Sequence, residues 1–187
     1  MSLNIYIWLV FIFDKFLYFY ICIYIMKINL RYVPKALTKK DTQRQKRELI
    51  KSRRLYKKGK YHTRRKMSSF VSKKSPHIIK AEKIYHVEKI GATTELAKAT
   101  GCSKDALAKI INKGEGAYFS SGSRPNQTAQ SWGKARLASS ITAGKAAAVD
   151  YSILEKGCKT GSKALHLAKI ARKKYGHGTR KVPKTNI

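Results

Sequence analysis

Residues 114–157 read GEGAYFSSGSRPNQTAQSWGKARLASSITAGKAAAVDYSILEKG. They form the one long stretch of low charge, small residues and clear helical rhythm in a chain of 187. Gly114, Gly116, Gly122 and Pro125 predict an irregular loop, because glycine takes backbone angles that other residues avoid and proline fixes φ. Asn126, with Thr128 as the alternative, predicts the N-cap of the helix that follows. Trp132, Ala135, Ala138 or Ser139, and Ile141 or Thr142 then recur every three or four residues, the spacing of one buried face. Gly144 predicts the end of that helix. A second helix is expected from Lys145, with Ala148, Tyr151 and Ile153 or Leu154 on it, closing at Gly157. Asp150 inside it is expected to pair with a basic neighbour such as Arg136 or Lys145 rather than to act as a base.

Working outward, residues 93–114 read TTELAKATGCSKDALAKIINKG. Leu96 and Ala97 suit a short helix, Gly101 a turn, and Ser103 the cap of a second helix with Leu107, Ile110 and Ile111 inward. That order has the spacing of a helix-turn-helix unit, the reading preferred over a plain helical hairpin. Ser103, Lys104, Ala108, Lys109, Asn112 and Lys113 would face outward toward a groove, with Asp105 opposing phosphate. Ile78 or Ile79, Ala81, Ile84 and Tyr85 are in helical phase, while Tyr85, Val87 and Lys89 also suit a short strand. Residues 161–175 predict a further helix with Leu165, Ala168 and Ala171 inward and His166 on its flank. The fold class is therefore mainly α: a small helical domain at 76–175, a basic arm and linker at 26–75, and a disordered basic tail at 176–187.

Charge dominates the composition. The chain carries 41 Lys and Arg against 10 acidic residues, a formal net charge of +31. Such a protein repels itself unless a polyanion is near, so nucleic acid is the first partner implied, DNA favoured, and an anionic membrane surface the second. Between Lys35 and Lys66 only Asp41 and Glu48 oppose the basic residues. Thr38 can cap a helix there, Asp41 suits its first turn, and Gly59 can end it. Leu49, Ile50, Leu55 and Tyr56 make a stripe too thin for a well-buried helix. A solvated tail is the bland reading. The density of charge favours an arm that orders on phosphates, with Lys39, Lys40, Arg44, Lys46, Arg47, Arg53, Arg54, Lys57, Lys58, Arg64, Arg65 and Lys66 as contacts.

Catalytic chemistry finds little support. Ser121, Ser123 and Arg124, leading through Asn126 and Gln127 to a helix start, with Arg136 nearby, make a candidate anion site. The alternative is that the hydroxyls and Gly122 build a tight turn. Gly144-Lys145 is followed by alanine, so no phosphate loop is present, and neither GxSxG nor HExxH occurs. His62, His77, His86, His166 and His177 are scattered, and Glu115, Asp150 and Glu155 are too few to hold a pair of metals. No metal, cofactor or catalytic residue is expected. Cys22, Cys102 and Cys158 form no CxxC and leave an odd count, which suggests neither zinc nor a disulfide framework and suits a reducing compartment.

Residues 1–25 are apolar and long enough to span a membrane, but Asp14 and Lys15 sit in the middle at a cost of about 2.5–3.5 kcal/mol each. Glycine, alanine, proline and arginine are absent from them, as from translated AT-rich DNA. Met26 is the expected start, with a membrane anchor as the alternative.

RYVPKALTKKD, ELAKATGCS and above all GAYFSSGSRPNQTAQSWGKARLASSITAGKAAAVDYSIL resemble a domain family of unknown function found in nucleocytoplasmic large DNA viruses, with looser relatives in phages. The likeness runs from Met26 to Cys158. It implies a viral origin, a place in the virion or the infected host cell, and contact with a large DNA genome; it supplies no site residues. The expected function is non-catalytic nucleic-acid binding, for genome binding or condensation. A membrane-anchored virion protein and an enzyme using the Ser/Arg loop on a phosphate-containing substrate are the alternatives.

Overall fold

The computed structural model describes residues 28–177 and the backbone of 184–185. The apolar residues 1–25, with Cys22, lie outside the described residues. A two-residue strand β1 (Ile28–Asn29) and a 3-10 turn (Leu30–Tyr32) lead into α1 (Lys39–Lys57). Then come α2 (Pro76–Tyr85), α3 (Thr94–Thr100), α4 (Lys104–Ser120), α5 (Ala129–Ile141), α6 (Lys145–Val149), α7 (Tyr151–Gly157) and α8 (Lys163–Tyr175). The chain is mainly α-helical. Strand β2 (Lys184–Thr185) pairs antiparallel with β1, so these two residues of the tail, expected to be disordered, join the start of the fold.

Local chemistry explains most boundaries. The hydroxyls of Thr93 and Ser103 accept from the Leu96 and Ala106 N–H groups and so start α3 and α4. Gly101 ends α3 at φ +71°, a left-handed turn that glycine adopts without strain. Of the two caps expected for α5, Thr128 is the one used: its Oγ1 accepts from Ser131 N–H while Ser131 Oγ accepts from Thr128 N–H. Residues 76–85 take the helical alternative, and the buried Tyr85 donates its hydroxyl to the Ile141 carbonyl at 2.7 Å.

The core fills the space between α2, α4, α5, α7 and α8 with Leu107, Ile110, Leu137, Ile141, Leu154 and Ala168. Each large apolar side chain buried this way stabilises by about 1.5–3 kcal/mol. Leu165, Ala168 and Ala171 point inward as expected, and His166 is exposed.

Five expectations are corrected. Gly114 and Gly116 lie in helix rather than loop, since α4 continues to Ser120. A Cβ on Gly114 would stand 2.7 Å from Gly133 Cα, so this glycine serves the close crossing of α4 and α5. The helix expected at 145–157 breaks at Asp150, which is fully buried. Trp132 is half-buried in a second cluster with Ile28, Tyr32 and Leu49, rather than in the main core. Cys102 and Cys158 form a disulfide, because an antiparallel bridge brings two residues together that are 56 apart in sequence. Finally, α1 is not a thinly packed arm: Asp41, Gln45, Leu49 and Ser52 are all buried.

Candidate nucleic-acid interface

Helix α1 has two faces of opposite character. The inward positions are Asp41, Gln45, Leu49 and Ser52, a helical repeat in which only one side chain is apolar. Gln45 Nε2 donates to the carbonyls of Tyr32 at 3.0 Å and Ser123 at 3.3 Å. Ser52 Oγ donates to the Phe119 carbonyl at 3.2 Å. Asp41 accepts from Ser69 Oγ at 2.7 Å and Ser69 N–H at 2.9 Å, and these bonds hold its carboxyl below the usual carboxylate range. Burial tends to raise the Glu48 carboxyl, but His62 Nε2 at 2.9 Å and the Arg65 N–H outweigh it and hold the group low. Both acidic residues of α1 are therefore spent on the segment that follows the helix.

The outward positions Lys40, Arg44, Arg47, Lys51, Arg54 and Lys58 recur at intervals of three and four, which places them in one stripe. At 1.5 Å per residue the stripe is about 27 Å long. All six are exposed except Arg44, which is half-buried and 4.0 Å from Asp41. No carboxylate occupies a position of the stripe itself. Lys39, Lys57, Arg65 and Lys66 are exposed beside it, and Lys46 and Arg53 are half-buried. Arg53 Nη2 donates to the Ser121 carbonyl at 2.7 Å. Lys51 was not singled out from the sequence, although its place in the three-four repeat marks it.

Arg64 departs from the expectation. It is buried, and its guanidinium donates to Tyr118 O at 2.9 Å, Ser123 Oγ at 2.7 Å and Ser52 Oγ at 3.2 Å. It also lies 3.6 Å from the Tyr118 ring centroid. Burial pulls its pKa below the ordinary guanidinium value, and the acceptors and the ring make its burial tolerable. It is a structural cation and cannot reach a phosphate.

The candidate anion site is dispersed for the same reason. Ser123 is buried beneath Arg64, and Asn126, at φ +58°, spends its side chain on Met67 N–H, Met67 O and Phe70 O. Gln127 donates to Ser72 Oγ, and Arg124 is exposed. Arg136 reaches Asp150 through Nε at 2.8 Å and Nη2 at 2.7 Å, the pairing expected for that carboxylate. Lys113 Nζ at 2.8 Å and Ser140 Oγ at 3.0 Å complete the group. Burial works to raise the Asp150 pKa; Arg136 and Lys113 outweigh it and keep the carboxyl low. The loop thus docks the basic segment and leaves no shared pocket for an anion.

On α4, Ser103, Lys104, Lys109, Asn112 and Lys113 are exposed. Ser103 Oγ is occupied as a cap, and Lys113 is tied to Asp150. Among the described residues no group of three or more His, Cys, Asp or Glu could hold a metal, and no helix is long and apolar enough to cross a membrane.

Residues 29–156 match the model of a family of unknown function, DUF5824. The chain belongs to that family. The DUF5824 match begins within β1 and ends in α7, so it includes the whole basic segment and stops short of α8. No curated protein and no solved structure matches the chain.

Proposed function

We propose that the chain is a non-catalytic nucleic-acid-binding protein that tracks phosphates along the outward stripe of α1 and the loop after it. The observation that carries this reading is the one-sided charge of α1: cations at 40, 44, 47, 51, 54 and 58, with Asp41 and Glu48 hydrogen-bonded to the segment after the helix and only Arg44 paired, at 4.0 Å, with Asp41. A stripe of about 27 Å runs beside roughly eight base pairs of duplex. Phosphate contacts position a protein without reading sequence, so genome binding or condensation is the use that fits. The resemblance to domains of large DNA viruses favours a large viral DNA genome as the ligand.

The test is a titration of the full chain into a labelled duplex, with unlabelled duplex of unrelated sequence and phosphatidylserine vesicles as competitors. Unrelated DNA should displace the probe about as well as the probe sequence itself. A strong sequence preference would move the reading to α4, where Lys109 and Asn112 are exposed. Binding to vesicles but not to DNA would overturn it in favour of a membrane surface.

A further inference from the structure

Tyr61 is 73% exposed, the one aromatic among the described residues on the open surface. It is nevertheless held in place. Its ring meets Phe119 edge-on at 5.0 Å and Tyr56 at 6.0 Å, and Tyr56 lies nearly parallel to Phe119, also at 6.0 Å. Phe119 in turn meets Tyr118 at 4.9 Å, and Arg64 sits over the Tyr118 ring. The exposed ring is thus the outer end of a connected series that runs into the buried polar centre.

The chain reaches this position through a sharp turn. The N–H groups of Lys58 and Lys60 both donate to the Leu55 carbonyl, and Gly59 adopts φ +71° with open space around it. The turn brings Tyr61 back over the end of α1, where Lys57, Lys58 and Lys60 are exposed. The ring therefore sits at the C-terminal end of α1, on the side where Tyr56 meets Phe119, just after the exposed Lys57, Lys58 and Lys60 in the chain.

We infer that Tyr61, backed by Phe119 and Tyr56, is a stacking platform for an unpaired base of a single-stranded nucleic acid whose backbone passes over the lysines at the C-terminal end of α1. The inference rests on the nucleic-acid reading above and adds a ligand class to it. Every base has a π face, so stacking of this kind is tolerant of sequence, as the phosphate contacts are. A duplex keeps its bases inside the helix and offers the ring only an end or a frayed pair. Phe119 and Tyr56 supply the second requirement, since an immobilised ring loses little freedom when a base covers it.

The test uses the full chain, its Tyr61→Ala and Tyr61→Phe variants, and two probes of equal charge count: oligo-dT and a blunt duplex. An oligonucleotide carrying 2-aminopurine adds a direct readout, because stacking quenches its fluorescence. Tyr61→Ala should weaken oligo-dT binding roughly 5- to 100-fold, leave duplex binding within about two-fold, and abolish the quenching. Tyr61→Phe should behave as the parent. The salt dependence should be the same for all three, since no phosphate contact is removed. An equal loss on both probes, an unchanged affinity for oligo-dT, or persistent quenching in Tyr61→Ala would overturn the platform and leave the phosphate reading standing. If the parent chain binds neither probe, the nucleic-acid reading itself fails.

Discussion

The helical bundle of residues 76–175 and the basic segment before it are built on different chemistry. In the bundle, apolar side chains at helical spacing meet across Leu107, Ile110, Leu137 and Leu154, and two glycines let α4 and α5 approach. The basic segment docks on that bundle through a small apolar cluster and ring contacts together with many hydrogen bonds. Gln45 and Ser52 reach backbone carbonyls, Arg64 reaches two hydroxyls and a carbonyl, and Asn126 holds the backbone of Met67 and Phe70. A segment can therefore be docked through buried polar side chains while its composition looks like that of a solvated tail. The docking also fixes which side of α1 remains free, and that side is cationic.

The contrast can be broken first in the bundle, at its buried ionic centre. Asp150→Ala removes a fully buried carboxylate and leaves the partly buried Arg136 without its partner, while the exposed Lys113 returns to solvent; the change costs at most about 3–5 kcal/mol. Chemical denaturation should show the loss, and an unaffected midpoint would mean that the group is not needed. The pH dependence has a definite sign. Asp150 titrates below its ordinary value in the fold, so its contribution is fully present above the unfolded value of about 3.9 and is lost as pH falls through the lower folded value. Acid denaturation should accordingly set in below about pH 4 from this group, and the Ala variant should lack that component.

The disulfide comes next. Cys102 and Cys158 close a loop of 56 residues, for which the chain-entropy account gives about 4 kcal/mol. Cys102→Ser, or a reducing agent, should lower the melting temperature of the bundle. No change on reduction would show that the bond adds nothing to stability. Smaller still is the effect expected in the basic segment. Gln45→Leu leaves two carbonyls without their donor and should cost about 1–3 kcal/mol. A polar tail would tolerate the change without loss, so a neutral result would return the segment to that status.

Parts of this architecture can be read from sequence because they depend on neighbours along the chain. The caps at Thr93, Ser103 and Thr128, the turn at Gly101 and the inward face of α8 are of that kind. What escaped depends on partners far away. Gly114 looks like a helix breaker until Gly133 is placed against it, and Cys102 looks unpaired until the bridge to Cys158 forms. The burial of α1 is periodic, but three of its four inward residues are polar, so hydropathy does not reveal it. Arg64 and Arg65 are adjacent and identical in type, yet one is buried and one exposed. Only the docked position of the 60–72 segment separates structural from available cations. The stripe on α1 was within reach of the sequence, through its three-four spacing, and Lys51 could have been found that way.

The central claim is that the inner side of α1 holds the fold while its outer side binds phosphate. The most direct test measures affinity for duplex DNA against salt concentration, for the full chain and for a variant with Lys40, Arg47, Lys51 and Arg54 replaced by Gln. These four side chains are exposed, so the melting temperature should stay close to that of the parent. Each lost phosphate contact removes about 0.9 from the slope of log affinity against log salt, so the slope should flatten by up to about 3.6. An unchanged slope in a normally folded variant would contradict the account.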